Sequence, residues 1–294
     1  MFSRFFNWIL FIVLSIIWGS SFILMKGGLS SLSPYQVASL RIVTAGLVLA
    51  PYGIKAFLVI PPSRVFLVFL SGTLGSLVPA YLFCFAELKL DSALAGVLNS
   101  LTPIFTLIIA FTFFSKRTPF EKIVGIIIAF CGTVLLYFSQ PILAREANMI
   151  PVLLIILATV MYGTNVNLVS RYLSEYPSLS VASMALLLNA IPAMVVLAFS
   201  GIHQKTFNPD LMISIGCSLI LGIVGTAVAT ILFYRLIKQA GIVFSSMVTY
   251  AIPAVAIFWG LFFGEQVGMG EFFSLAVILW GVYLTNRRIS GVNS

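Results

Sequence analysis

Ile16-Ile17-Trp18-Gly19-Ser20-Ser21-Phe22-Ile23-Leu24-Met25 sets an indole, a glycine and two hydroxyls in the middle of an apolar run. Groups that need hydrogen-bond partners are costly to strand in hydrocarbon, so what they meet decides how the chain is built. The surroundings are apolar throughout. Of 294 residues 61% are hydrophobic and 8% charged, and the mean hydropathy of +1.13 lies far outside the range of a soluble domain. Ten apolar runs lie at about 6–26, 34–53, 65–85, 92–114, 119–138, 149–169, 178–200, 211–233, 241–263 and 271–286. Each matches roughly 30 Å of bilayer hydrocarbon at about 1.5 Å rise per residue. The first run follows Arg4 as a signal peptide would, but its length and the lack of a small-residue cleavage site predict a retained helix. The expected fold class is an all-α polytopic membrane protein with ten transmembrane helices, the lipid bilayer being its first partner. Cys84, Cys131 and Cys217 fall inside apolar runs, as small buried hydrophobes and not as a disulfide or redox set.

A formal net charge of +8 would suit nucleic acid if it were clustered, but its distribution reads as topology. With a cytoplasmic start, the inner side holds Arg4, Lys55, Arg64, Lys116, Arg117, Lys122, Arg171, Arg235, Lys238, Arg287 and Arg288. The outer side holds only Lys26, Lys89, Arg145 and Lys205. Acids show the reverse bias: Glu87, Asp91, Glu146, Asp210, Glu265 and Glu271 lie outside, Glu121 and Glu175 inside. This positive-inside excess predicts an integral cell (inner) membrane protein with both termini cytoplasmic and no nucleic-acid partner.

The opening stretch also has a counterpart. Trp18-Gly19-Ser20-Ser21 maps onto Tyr162-Gly163-Thr164-Asn165 at a lag of 144, and Val37-Ala38-Ser39 onto Val181-Ala182-Ser183 at the same lag. Further on the lag becomes 150: Gly72 and Gly75 match Gly222 and Gly225, Leu82-Phe83 match Leu232-Phe233, and Pro103 matches Pro253. The chain therefore divides into a first five-helix repeat, 1–140, and a second, 148–294. Five is odd, so the second copy must enter the membrane inverted. Ser115-Lys116-Arg117 at the inner end of span four accordingly becomes Glu265-Gln266-Val267 at the outer end of span nine. Two inverted halves are the architecture of secondary transporters, whose halves exchange conformations around a midplane site.

Five-plus-five inverted helices, Trp18-Gly19-Ser20-Ser21-Phe22 in span one, Leu40-Arg41-Ile42 in span two, a proline in spans four and nine, and Gly264-Glu265 after span nine resemble the EamA-type transporters of the drug/metabolite transporter superfamily. The likeness covers nearly the whole chain. It implies an exporter or facilitator of amino acids and related small metabolites. One departure is that Phe114-Ser115-Lys116 stands in the first copy where the family often has Gly-Glu, so no paired acid is expected in both halves.

Trp18, Ser21, Phe22 and Met25 share one helix face. They form a candidate substrate-binding stripe, matched in span six by Tyr162 and Asn165. Close helix packing and hydroxyl bonds to the helix's own backbone are the competing account of Gly19 and Ser20. Asn99 and Asn189 add amides at mid-membrane depth, and Tyr81, Phe85 and Tyr250 supply candidate aromatic walls; interhelical hydrogen bonding and ordinary packing are the alternatives. Arg41 lies about 10 Å inside span two and is open to three roles: structural anchor, contact for a cargo carboxylate, or partner of Glu87 near the outer end of span three. Pro103 and Pro253 interrupt helices preceded by small residues and are expected to act as hinges.

No Gly-Lys-Ser/Thr loop, His-Glu-x-x-His or Gly-x-Ser-x-Gly occurs, and the single histidine, His203, falls in a loop. Neither an ATP-driven pump nor an enzyme is therefore expected, nor a cofactor or metal. The reading is a secondary transporter of a small amphipathic metabolite, an exporter working by alternating access, for which a monomer suffices. A facilitative channel-like or sensory membrane protein is the alternative.

Overall fold

The structure, a computed structural model, describes residues 2–90, 92–114, 119–139, 149–262 and 268–286, and every regular element in them is helical. Asp91, Lys116, Arg117, Arg145, Glu146, Gly264, Glu265, Arg287 and Arg288, which carry part of the expected charge asymmetry, lie outside the described residues.

Local chemistry sets where helices start and break. After α1 (Phe2–Leu29), Ser33 and Gln36 form a reciprocal capping box: the Ser33 Oγ accepts from the Gln36 amide and the Gln36 Oε1 from the Ser33 amide. That box opens α2 (Pro34–Val48), which bends by 65° into α3 (Ala50–Ala56), where Pro51 has no N–H to continue the ladder. α4 (Pro62–Gly72) widens into a π-helical segment, Thr73–Leu77, before α5 (Val78–Ala86). Pro79 again removes a donor, and the Val78 amide reaches back five residues to the Thr73 carbonyl. α6 (Ser92–Asn99) and α7 (Thr102–Phe114) are separated at Ser100 and Leu101 because Pro103 cannot donate to the Asn99 carbonyl. The Thr102 hydroxyl donates there instead, at 2.7 Å. α8 (Phe120–Ser139) ends the described first half.

The second half repeats these devices. α9 (Met149–Leu168) carries a π extension, Val169–Leu173, and α10 (Ser178–Phe199) is followed by a turn in which Gly201 has φ +72°. Asn208 caps α11 (Pro209–Gly222), its Oδ1 accepting from the Leu211 amide at 2.8 Å. A third π segment, Ile223–Val228, lies 150 residues after Thr73–Leu77 and leads into α12 (Ala229–Ser246). Gly241 adopts φ +81° and ψ 172° inside α12, so the chain turns there; α13 (Val248–Phe262) and α14 (Met269–Asn286) follow.

Six described segments are long and apolar enough to cross a membrane: Phe5–Leu29, Pro62–Ala86, Ala95–Phe114, Met149–Leu173, Ser178–Phe199 and Pro209–Ser246. The bent pair α2 and α3 makes a seventh, and Phe272–Thr285 is a shorter apolar helix. This is fewer than the ten expected. The expected run at 34–53 is bent at Pro51, Gly241 turns the chain where the run at 241–263 begins, and α8, α13 and α14 lie in the expected runs at 119–138, 241–263 and 271–286.

Helices pair across the halves at the same offsets that the sequence repeats. α2 packs on α10 and α8 on α14, while α1 against α13 has its counterpart in α9 against α7. Gly46 and Ala190, 144 residues apart, touch each other: a Cβ on Gly46 would lie 2.5 Å from the Ala190 Cβ and 2.8 Å from the Leu186 carbonyl oxygen. Contacts also sort to two ends. At one, Arg235 stacks over Phe6 at 4.5 Å, Lys238 donates to the Tyr176 carbonyl at 3.5 Å, and Arg64 pairs with Glu175 at 3.9 Å. At the other, Ser30 meets Ser214 at 2.9 Å, Gln36 donates to the Ser200 carbonyl at 3.0 Å, and Lys205 donates to the Ser31 carbonyl.

Gly46→Leu is expected to force α2 and α10 apart and to cost about 1–3 kcal/mol by overpacking. The melting midpoint of the purified protein should fall by several degrees. Gly216→Leu, at a position with nothing within 4 Å, should leave it unchanged.

Candidate substrate cavity

The opening stretch can be traced atom by atom. The Trp18 indole N–H donates to the Gly225 carbonyl at 3.2 Å, in the π segment of the other half, and its ring meets Phe233 edge-on at 5.0 Å. A widened turn leaves its carbonyls poorly served by the helix ladder, so the π segment supplies an acceptor where the indole needs one. Gly19 admits α13: a Cβ there would lie 2.6 Å from the Val255 Cβ. The Ser20 hydroxyl accepts from the Trp259 indole at 2.9 Å, and Ser21 donates back to the Ile17 carbonyl at 2.8 Å. Both accounts of this stretch thus apply, packing at Gly19 and Ser20 and cavity lining at Trp18 and Ser21.

Beside Trp18 opens a partly enclosed cavity of about 100 Å³. Trp18, Ser21, Phe22 and Met25 line it from α1, Asn99 and Thr102 from the α6–α7 break, and Tyr162, Asn165 and Val166 from α9. Gly75 and Ser76 come from the first π segment, Gly225 and Thr226 from its counterpart. Ser246, Thr249 and Ile252 border the second break, at Met247. One end is closed by a buried hydroxyl and amide group: Ser71 Oγ lies 2.8 Å from Asn165 Oδ1 and 2.6 Å from the Tyr234 hydroxyl. Phe22, Phe83 and Tyr162 form an aromatic run, with centroids 6.3 Å and 6.1 Å apart. Equivalent positions meet equivalent glycines: a Cβ on Gly225 would lie 2.9 Å from Ser21 Oγ, and one on Gly75 2.2 Å from Asn165 Nδ2.

Arg41 is the one charged side chain in this lining. Its Nε donates to the Thr226 hydroxyl at 2.6 Å, and that hydroxyl donates to the Leu221 carbonyl at 3.1 Å, five residues back in the π segment. Glu87, just past α5, is 7% exposed, and neither carboxylate oxygen has a hydrogen-bond partner among the described residues. Arg64 and Glu175 form the single ion pair among the described residues, so Arg41 and Glu87 are not paired.

The remaining candidates lie outside the lining. Asn189 is fully buried: its Nδ2 donates to the Phe69 and Ala185 carbonyls at 3.0 and 2.8 Å, and its Oδ1 accepts from Thr73 at 2.9 Å. Tyr250 is buried with its hydroxyl on the Ile126 carbonyl at 3.1 Å. Tyr81 bonds Ser39 at 2.7 Å, and Phe85 packs edge-on against Tyr35 at 4.8 Å. Pro103 and Pro253 follow the two helix breaks that border the cavity. Sequence reasoning missed Thr226, Phe83, Thr102 and Tyr234 as lining. The Gly75 and Gly225 repeat falls in two of the π segments, Thr73–Leu77 and Ile223–Val228, whereas a tyrosine in an apolar run carries no signal for Tyr234.

A family model described as "EamA-like transporter family" matches the chain twice, over residues 6–138 and 149–287. An uncharacterized transporter of Archaeoglobus fulgidus is 29% identical over 288 residues, covering 96% of this chain and 99% of its own. The uncharacterized inner membrane transporter YedA of Escherichia coli K12 is 27% identical over 279 residues, covering 92% of this chain and 87% of its own. A solved crystal structure superposes with a TM-score of 0.73 at 15% identity over 94% of each chain, a likeness of fold.

Asn189→Leu removes three side-chain hydrogen bonds, to the Phe69 and Ala185 carbonyls and from the Thr73 hydroxyl, at about 0.5–1.5 kcal/mol each, while Thr73 keeps its bond to the Phe69 carbonyl. The expected result is a lower melting midpoint with unchanged cargo affinity, measured by thermal unfolding and by binding to the folded fraction.

Proposed function

Because the chain belongs to the EamA-like transporter family, we propose that it is a secondary transporter, carrying a small amphipathic metabolite across the cytoplasmic membrane by alternating access. Its cargo is an amino acid or related compound and its working direction is export. It is an integral membrane protein. We read its topology as ten crossings in two inverted repeats, 1–140 and 148–294, with both termini cytoplasmic. The observation that carries the reading is a cavity lined by equivalent positions of both halves, Ser21 against Gly225 and Asn165 against Gly75.

The two family-model matches support a duplication, and the two ends of the molecule support the inversion. α1 runs from the end where Phe6 meets Arg235 to the end where Ser30 meets Ser214. α9 and its π extension run toward the end where Tyr176 meets Lys238, so equivalent helices point in opposite directions. Alternating access draws support from the helix breaks ahead of Pro103 and Pro253. Each borders the cavity and gives its helix a place to bend. The mixed lining of rings, amides and hydroxyls with a single charge suits a cargo that is partly apolar and partly hydrogen-bonding.

Trp18→Ala and Asn165→Ala should each depress counterflow of the cargo in proteoliposomes by about tenfold, with membrane expression intact. Unchanged counterflow in both variants would remove the cavity from the transport path.

A further inference from the structure

We propose that Arg41 receives one carboxylate of the cargo, so that the transported metabolite must carry a free carboxylate and the cavity accepts a single negative charge. This rests on the reading of the chain as a carrier and narrows it to a substrate class.

The argument begins with how Arg41 is held. Its Nε is taken by the Thr226 hydroxyl, whose own proton points to the Leu221 carbonyl; a lone pair is thereby fixed toward the guanidinium. That single bond sets the plane of the fork. The two terminal nitrogens have no hydrogen-bond partner among the described residues, and Arg41 lines the cavity. The acid expected as a competitor does not occupy them: Glu87 is buried and, among the described residues, has neither a hydrogen-bond nor an ion-pair partner. Lys26, the other cation near Glu87, lies outside the lining. An oriented guanidinium with no ion-pair partner among the described residues, facing a mostly apolar space, is matched by the planar two-oxygen acceptor of a carboxylate. One cation balances one negative charge, which disfavours a phosphate dianion. The cargo's remaining parts would meet the Asn99 amide and the rings of Phe22 and Tyr162.

The test is counterflow by the full-length protein in proteoliposomes, comparing L-amino acids with their α-carboxamides and with inorganic phosphate as a competitor. In the wild type the acids should be exchanged at least about tenfold faster than the amides, and phosphate should not compete. Arg41→Gln should erase the preference for acid over amide, while Arg41→Lys should keep the preference at reduced affinity. The wild-type comparison needs no variant to fold. Equal exchange of acid and amide, exchange of carboxyl-free amines alone, competition by phosphate, or an intact preference in Arg41→Gln would each overturn the assignment while leaving the carrier reading in place. No exchange of any compound would overturn both.

Discussion

In hydrocarbon every backbone and side-chain polar group must find its partner inside the protein, and this constraint organises the structure. The helices meet it along most of their length. At a few places they leave the regular ladder: the three π segments, the break after Asn99, the turn at Gly241 and the break at Met247. Two of these irregularities stand beside prolines that cannot donate, Pro79 and Pro103, whereas Pro253 lies inside α13. The groups they release are met by the other half or by the cavity. The Gly225 carbonyl taking the Trp18 indole is the clearest case. Irregular backbone in a membrane protein belongs where it is covered by protein or borders a wet space, and here both conditions meet at one site.

The same rule separates amides that hold the fold from those that face the cavity. Asn189 spends both amide N–H groups on carbonyls and accepts from a hydroxyl, leaving no donor for a ligand. Asn165 shares one oxygen with Ser71 and still borders the open space. Asn99 is joined only by Thr102 of its own break. Depth in the membrane did not distinguish these three residues; their partners did.

Much of this was legible in the sequence. Composition declared the membrane class, and the lags of 144 and 150 set which helices are read as equivalent. Trp18, Ser21, Phe22, Met25, Asn99, Tyr162, Asn165 and Arg41 were all singled out and all line the cavity. Periodicity worked for α1 because one helical face collects its residues on one wall. It failed for Tyr81, Phe85 and Tyr250, since an apolar chain offers an aromatic many equally good neighbours, and only tertiary contact decides among them. Thr226 was invisible for another reason: its role depends on the π turn that aims its hydroxyl at Arg41, and no spacing rule encodes that turn. The bend between α2 and α3 was carried by Pro51, inside a run whose hydropathy alone reads as one continuous crossing.

The central claim is that equivalent halves, oppositely oriented, enclose one cavity. The most direct measurement places single cysteines at position 145 and at the C-terminus, in a protein whose exposed Cys131 is replaced, and labels intact cells with a membrane-impermeant thiol reagent. The account predicts that position 145 reacts from outside and that the C-terminus reacts only after the membrane is opened. Labelling of both from one side would contradict it.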